Sequence, residues 1–289
     1  MLRLDNRVAL VTGAGRGLGA DYAKFLASRG AAVVVNNRRR NGESPADDVV
    51  AEIAAAGGKA VANYSDVVED PQGLVDTAMD TYGRLDIVVN NAGIHQEMSF
   101  SDPGAFDLIK RYMDVHFYGT VGVTKAAWEH LIASGSGRVI NTVSPVMING
   151  SVDITAYVSA KAATVGFTRS LSIEAEDFGI TVNAIAPIAA TRLSEKGKFT
   201  DEFKKQLRDN NPTSLVSPVV AYLAHPENTL NGRNLIVAAG EVQLMTFGKN
   251  DGFLDRELTP ESVQANLDSI LDETTNTVLP YERFHASID

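Results

Sequence analysis

Residues 8–19 read VALVTGAGRGLG. Four apolar residues, Val8 to Val11, run into Thr12. A glycine-rich turn follows and opens onto Leu18, Gly19 and an alanine-containing stretch of helical composition. A short apolar run bounded by turn residues predicts a buried parallel strand. The glycines let the backbone turn sharply and approach a pyrophosphate closely. A helix starting there presents free N–H groups and the positive end of its dipole to phosphate. The spacing is Gly13-xxx-Gly17-x-Gly19. It departs from the GxGxxG dinucleotide pattern, because Leu18 stands where the third glycine belongs. Strand, glycine turn and helix in that order predict a dinucleotide-binding unit.

The same alternation continues outward. Strands are predicted at Val8–Val11, Ala32–Asn36, Ala60–Asn63, Leu85–Asn90, Arg138–Thr142, Thr181–Ile185 and Asn234–Ala238. Helices are predicted near Leu18–Ser28, Ala46–Ala56, Pro71–Tyr82, Gly104–Ala133, Ile154–Asp177, Asp201–Asp209 and Pro218–Leu223. The expected class is α/β: a doubly wound, Rossmann-type, parallel seven-stranded sheet with helices on both faces. Residues 1–240 are expected to form this domain. The acid-rich residues 241–289 are expected to be a C-terminal extension, with one helix near Pro260–Asp272, packed on the same domain or on a neighbouring subunit.

Composition narrows the function. The chain has 289 residues, a formal net charge of -10 and no cysteine. The acidic balance argues against nucleic acid and membrane partners, which need clustered Lys and Arg. Disulfides and thiolate metal sites are excluded. The histidines, His95, His116, His130, His225 and His285, lack paired ligand spacing, so no metal is expected. The start MLRLDNRVAL lacks the apolar run of a signal peptide, and no stretch is apolar enough to span a membrane, so a cytoplasmic location is expected.

Four further stretches carry chemistry. Asp66-Val67 follows the third strand, and Asn90-Asn91-Ala92-Gly93 follows the fourth. Ser144 follows the fifth, and Tyr157-xxx-Lys161 lies on the helix after it. Four residues apart, Tyr157 and Lys161 share one helix face. A free phenol has a pKa of about 10, and a nearby ammonium is expected to lower it. Such a tyrosine exchanges a proton with a reacting oxygen, while the Ser144 hydroxyl holds that oxygen.

Thr12-Gly13-xxx-Gly17-x-Gly19, Asp66, NNAG, Ser144 and YxxxK, in this order, resemble the short-chain dehydrogenase/reductase family over about residues 5–240. The resemblance implies an oxidoreductase that moves a hydride between a nicotinamide cofactor and a secondary alcohol or ketone. It implies catalysis by Ser144, Tyr157 and Lys161, with His116 where the family usually has asparagine. It also implies cofactor contacts from Gly13, Arg16, Gly17, Leu18, Gly19, Asn37, Arg38, Asp66, Val67, Asn91, Ala92, Gly93, Tyr157, Lys161, Pro187 and Thr191. His116 is expected either to exchange protons near neutrality or only to pack. Ile188 replaces the family's glycine after Pro187. The segment near 192–211, with Arg192, Lys196, Lys198, Lys204, Lys205 and Arg208, is expected to be a substrate lid or a solvated helix.

VVVNN (33–37), VTKAAWEHL (123–131) and NAIAPIAATRL (183–193) are most similar to the dehydrogenase domain of peroxisomal multifunctional type 2 enzymes and their bacterial single-domain relatives. This likeness implies 3-hydroxyacyl-CoA thioesters or hydroxysteroids as candidate substrates. Asn37, followed by Arg38, Arg39 and Arg40, carries no charge to repel a 2′-phosphate, so NADP(H) is expected over NAD(H), with Arg16 as a second contact. A homodimer or homotetramer through the two long helices is expected. A non-catalytic redox sensor of the same fold is the alternative; such proteins typically lose the tyrosine or lysine present here.

Overall fold

The computed structural model describes residues 1–39, 43–191, 194–195 and 199–279. Arg40, Arg192, Lys196 and Lys198 lie outside the described residues. Seven parallel strands, β1 (Val8–Val11), β2 (Ala32–Asn36), β3 (Lys59–Asn63), β4 (Ile87–Asn90), β5 (Arg138–Thr142), β6 (Thr181–Ile188) and β7 (Asn234–Ala238), are joined by β8 (Glu241–Met245). The order is β3-β2-β1-β4-β5-β6-β7-β8. The chain direction across the sheet reverses between β1 and β4. In open α/β sheets a ligand crevice forms at that reversal, outside the carboxyl ends of the strands.

Alternate strand residues serve opposite faces. Ala9, Val11, Val33 and Val35 pack with Ala23 and Leu26 of α1 (Gly17–Ser28) and with Val49 and Ile53 of α2 (Pro45–Ala55). Val8, Leu10, Val34 and Val88 pack with Leu74 and Val75 of α3 (Pro71–Tyr82) and with other helices of that side. Both faces are covered, so the strands are apolar throughout rather than alternating. Each fully buried Val, Leu or Ile contributes about 1.5–3 kcal/mol.

Four sequence expectations need correction. The sheet has eight strands, because Ala239 and Gly240, both at positive φ, turn the chain directly into β8; two consecutive positive-φ residues make the two-residue hairpin turn. β6 runs on to Ile188, in register with Ala238. The helix expected over Gly104–Ala133 is α4 (Ala105–Tyr112), a π-helical segment at Met113–Tyr118 and α5 (Gly119–Ala133). After β5 come a single turn, α6 (Val146–Asn149), which the sequence reading missed, and the long α7 (Thr155–Ala175).

The chain divides into two compact units, the boundary falling between Gln243 and Leu244. Within the second, Gly248–Lys249 pairs antiparallel with Thr277–Val278. The expected single helix is broken into Pro260–Ala265, opened by a Thr259–Ser262 capping box, and Leu267–Ile270.

Candidate active site

The glycine turn leaves β1 at the reversal point. Gly13 has φ +63° and Gly17 φ +55°, backbone that favours glycine. A Cβ on Gly19 would lie 2.5 Å from the Gly13 carbonyl oxygen, and one on Gly15 would lie 2.8 Å from Cγ of Asn37. Gly15 was missed as a site residue because the spacing rule counts only Gly13, Gly17 and Gly19. Thr12 was missed as well: its Oγ1 accepts the backbone N–H groups of Asn91 (2.9 Å) and Ala92 (3.0 Å). Asn91 Nδ2 in turn donates to the carbonyls of Thr12 and Gly13. No side chain caps α1 at Arg16, so its first-turn N–H groups face the turn. Leu18 packs against the core beneath. A helix start without side-chain caps, over a turn in which Gly13, Gly15 and Gly19 have no room for a Cβ and Gly17 takes a positive φ, fits a bound pyrophosphate.

The edge of this cradle is charged. Arg38 Nη1 meets Asp66 Oδ2 at 2.5 Å. Burial opposes ionisation of Asp66, but the Val68 amide and Arg38 outweigh it and hold the carboxyl below its usual range. Arg16 is ion-paired with Glu43. The Arg39 guanidinium lies 3.7 Å from the centroid of the Tyr64 ring. Val67, buried beside Asp66, would touch a Cβ placed on Gly119, so the start of α5 passes close beneath this loop.

Ser144, Tyr157 and Lys161 meet at the carboxyl end of β5. Burial pushes the Tyr157 phenol above its ordinary value, and the neighbouring Ser144 hydroxyl pulls it partly back. Lys161 Nζ donates to the Thr142 carbonyl at 2.5 Å and lies 5.7 Å from the centroid of the Tyr157 ring. Burial lowers the Lys161 pKa to about 7. The expectation that the ammonium draws the phenol pKa down is therefore corrected: desolvation dominates both groups.

His116 sits inside the π-helical segment, 2% exposed. Its ring stacks on Tyr112 (centroids 5.1 Å apart) and meets Tyr157 edge-on at 5.5 Å. Nε2 lies 3.1 Å from the Ile94 amide nitrogen and 3.0 Å from the Ile94 carbonyl oxygen, while Nδ1 is buried without a hydrogen-bond partner. A Cβ on Gly93 would lie 2.6 Å from the imidazole Cε1. Burial, with the Lys161 charge added, holds the His116 pKa well below its ordinary value. Both causes favour the neutral ring, which supports the packing alternative.

Beneath the site runs a buried polar ladder. Asn90 Nδ2 donates to Thr124 Oγ1 and Asn141 Oδ1, and Asn141 Nδ2 donates to Thr168 Oγ1, each at 2.9 Å. Thr168 Oγ1 donates to the Thr164 carbonyl and Thr124 Oγ1 to the Thr120 carbonyl. Thr120 Oγ1 donates to the His116 carbonyl at 2.9 Å. The ladder ties β4, β5, α5 and α7 to the π-helical segment.

Pro187 lies in β6, and Thr191 follows it. The Thr191 N–H donates to Ser194 Oγ at 2.8 Å, and the Ser194 N–H donates back to Thr191 Oγ1 at 3.3 Å. In the expected lid, Arg208 grips Glu195 through both carboxylate oxygens (2.8 and 3.0 Å) and Lys205 pairs with Asp209. These pairs favour the solvated-helix reading of those cations. Every proposed site residue thus lies on, or directly follows, the carboxyl end of one of β1 to β6, or lies on the helices that cross there.

The short chain dehydrogenase family matches residues 7–200. The chain belongs to that family. It is 41% identical over 283 residues to the mouse (Mus musculus) peroxisomal multifunctional enzyme type 2, an alignment covering 94% of this chain and 37% of the mouse protein. It therefore spans little more than a third of that relative's length. A short chain dehydrogenase crystal structure from Mycobacterium avium is 33% identical with TM-score 0.82, covering 96% of this chain and 98% of that one. A 7α-hydroxysteroid dehydrogenase complexed with NADH and 7-oxo glycochenodeoxycholic acid is 28% identical with TM-score 0.74, covering 83% and 96%. The family binds nicotinamide dinucleotides. Among the described residues no helix is long and apolar enough to cross a membrane, and no cluster of His, Cys, Asp or Glu is arranged to hold a metal ion.

Proposed function

We propose that this chain interconverts a secondary alcohol and its ketone by hydride transfer with NAD(P)(H). The observation that carries this reading is the meeting of Ser144, Tyr157 and Lys161 beyond β5, with Lys161 one turn further along α7 than Tyr157 and 5.7 Å from the centroid of its ring. The Gly13–Gly19 turn and the start of α1 hold the diphosphate, Asn37 and Arg38 face the adenosine ribose, and Asp66 and Val67 take the adenine. Asn91 to Gly93, Lys161 and Pro187 to Thr191 line the nicotinamide end. When bound, the dinucleotide accepts or donates the hydride. In reduction Tyr157 Oη would give its proton to the carbonyl oxygen as the hydride arrives; in oxidation it would take the hydroxyl proton back as a phenolate, the form that an ammonium at Lys161 favours against the cost of burial. Ser144 holds that oxygen and steadies the phenolate by a hydrogen bond. Neutral His116 acts as a positioning residue, through Ile94 and the Tyr157 ring edge.

The substrate class we favour is a 3-hydroxyacyl-CoA thioester or a hydroxysteroid. Ile94, Met98 and Met113 pack with Tyr157 in an apolar cluster; the name of the 7α-hydroxysteroid dehydrogenase supports the second class, and the sequence resemblance supports the first. Absorbance at the nicotinamide band, with a panel holding both classes and simple secondary alcohols, tests the proposal. Dinucleotide binding with no turnover on any member would establish the sensor reading instead.

For the cofactor we favour NADP(H), on the uncharged Asn37 and the guanidinium of Arg38. Both arginines offered to a 2′-phosphate already hold carboxylates, so the phosphate must displace Asp66 or Glu43. That competition limits the preference to about tenfold, since a charge-assisted hydrogen bond is worth roughly 1.5–3 kcal/mol before displacement. We also infer a homodimer or homotetramer formed through α5 and α7. Tyr118 is exposed, the Phe117 and Phe167 rings meet edge-on, and a Cβ on Gly166 would meet open space. Light scattering at micromolar concentration tests it; a monomer mass refutes it. The 241–289 extension is assigned to the same domain or a neighbouring subunit, and the cytoplasm remains the proposed location, to be decided against the peroxisome of the named relatives by fractionation.

A further inference from the structure

We infer that Asn211 is a positioning residue for the nicotinamide end of the site, an inference that rests on the assignment of Pro187 to Thr191 to that end. The last parallel pairing of β6 is Ile188 with Ala238. Beyond it, the chain's next anchors are both on Asn211, 23 residues further along. Asn211 Nδ2 donates to the Ile188 carbonyl at 3.0 Å, and the Ala190 N–H donates to the Asn211 carbonyl at 2.8 Å. A single residue therefore pins the backbone on both sides of Ala189 and delivers Thr191 to its place.

Asn211 is itself held. It is 8% exposed, and its own N–H donates to the Leu207 carbonyl at 2.9 Å, closing the helix Asp201–Asn210. Two residues on, Thr213 Oγ1 donates to Asp21. Asp21 lies on α1, one turn past the glycines. The links run from α1 through Asp21 and Thr213 to Asn211, and from there to Ile188, Ala190 and Thr191. This brace joins the helix that receives the diphosphate to the segment assigned to the nicotinamide, and so sets the span between the two ends of the dinucleotide.

The chemistry requires an amide. A donor must reach the Ile188 carbonyl, and an acceptor in its place repels that carbonyl. Asn211→Asp therefore harms more than Asn211→Ala.

The test compares dissociation constants, by calorimetry, for NADP⁺ against 2′-phospho-ADP-ribose and for NAD⁺ against ADP-ribose. The truncated ligands keep the adenosine and diphosphate and lack the nicotinamide. In the unsubstituted protein each dinucleotide binds more tightly than its truncated form. In Asn211→Ala that advantage shrinks by about three- to tenfold, the loss of one buried hydrogen bond, while affinity for the truncated ligands moves less than twofold. Asn211→Asp shrinks it further, and Thr213→Val shrinks it in the same direction by about twofold. Equal weakening of both ligands in Asn211→Ala and Thr213→Val, or an unchanged advantage in all variants, overturns the inference. If the unsubstituted protein shows no advantage for the dinucleotide, the assignment of Pro187 to Thr191 fails first, and the role of Asn211 fails with it.

Discussion

The two edges of the parallel sheet bury polar groups to opposite ends. At the amino edge lie Arg7 and Asp86, just before β1 and β4, and Arg138, which opens β5, all buried. Arg138 donates to the carbonyls of His225 (3.1 Å), Gly137 (2.8 Å) and Pro226 (2.6 Å). Asp86 accepts the Val8 N–H at 2.8 Å and both arms of Arg84. Arg7 donates to Ser136 Oγ and to the Ser136 carbonyl. At the carboxyl edge, His116 Nδ1 and Thr142 Oγ1 are buried without partners, and Lys161 is buried with no carboxylate bonded to it. The first edge spends most of its polar groups on holding loops together, with only Arg7 Nε and Asn234 Oδ1 unpartnered among the described residues. The second keeps them in reserve for a ligand, at a cost in stability.

Substitutions at the two edges should separate activity from stability. Tyr157→Phe deletes one exchangeable proton and should lower kcat by 10²–10⁴-fold or more, with the melting temperature moving by no more than about 1 °C. Steady-state rates and calorimetry check it; near-normal turnover would remove Tyr157 from the mechanism. Arg138→Met is the counterpart. It strands several buried carbonyls and should cost about 3 kcal/mol, roughly 6–10 °C in Tm, with kcat unchanged. A fall in kcat without a fall in Tm would dissolve the contrast between the edges.

Lys161→Met should abolish turnover and yet stabilise the fold. The folded pKa of about 7 lies below the ordinary lysine value of 10.5. Between those values the unfolded chain binds a proton that the folded chain does not, so this group makes stability rise with pH from about 7 to 10.5. Below pH 7 both states are protonated, and the burial penalty stays at its maximum. Replacement by Met should add about 2 kcal/mol at pH 7, after the lost Thr142 hydrogen bond is discounted, and should flatten that rise. Denaturant titrations at pH 7 and 9.5 measure both; an unchanged slope would show Lys161 to be solvated in solution. The smallest effect is expected for Arg38→Ala. It should erase a preference for NADP⁺ over NAD⁺ of tenfold or less, read as dissociation constants, and an unchanged NADP⁺ affinity would return the cofactor assignment to NAD⁺.

Much of this was legible in the chain, for reasons that differ by region. The valine runs of β1, β2 and β4 are covered on both faces, so their burial is written in consecutive residues. Tyr157 and Lys161 share a helix face, so four residues of spacing suffice to place them together. What stayed hidden depends on partners distant in sequence. The π-helical segment at Met113–Tyr118 coincides with hydrogen bonds to Ile94 and from Thr120, which no helical periodicity encodes. Arg38 was read as a free cation, because its partner Asp66 lies 28 residues on. Asn211 received no role of its own within the segment near 192–211, because Ile188 is reached only when the chain doubles back.

The ladder of Asn90, Asn141, Thr124 and Thr168 bears on how such a sequence can drift. Both amide protons of Asn90 are committed, one to Thr124 and one to Asn141, and Asn141 passes its own proton on to Thr168. Removing any one member leaves its neighbour with a buried group and no partner, whereas replacing several together by apolar residues of similar shape leaves nothing stranded. Single-step substitution paths through these positions therefore descend before they climb. The effects of paired changes should be far from additive, so this part of the chain should change as a block or hardly at all.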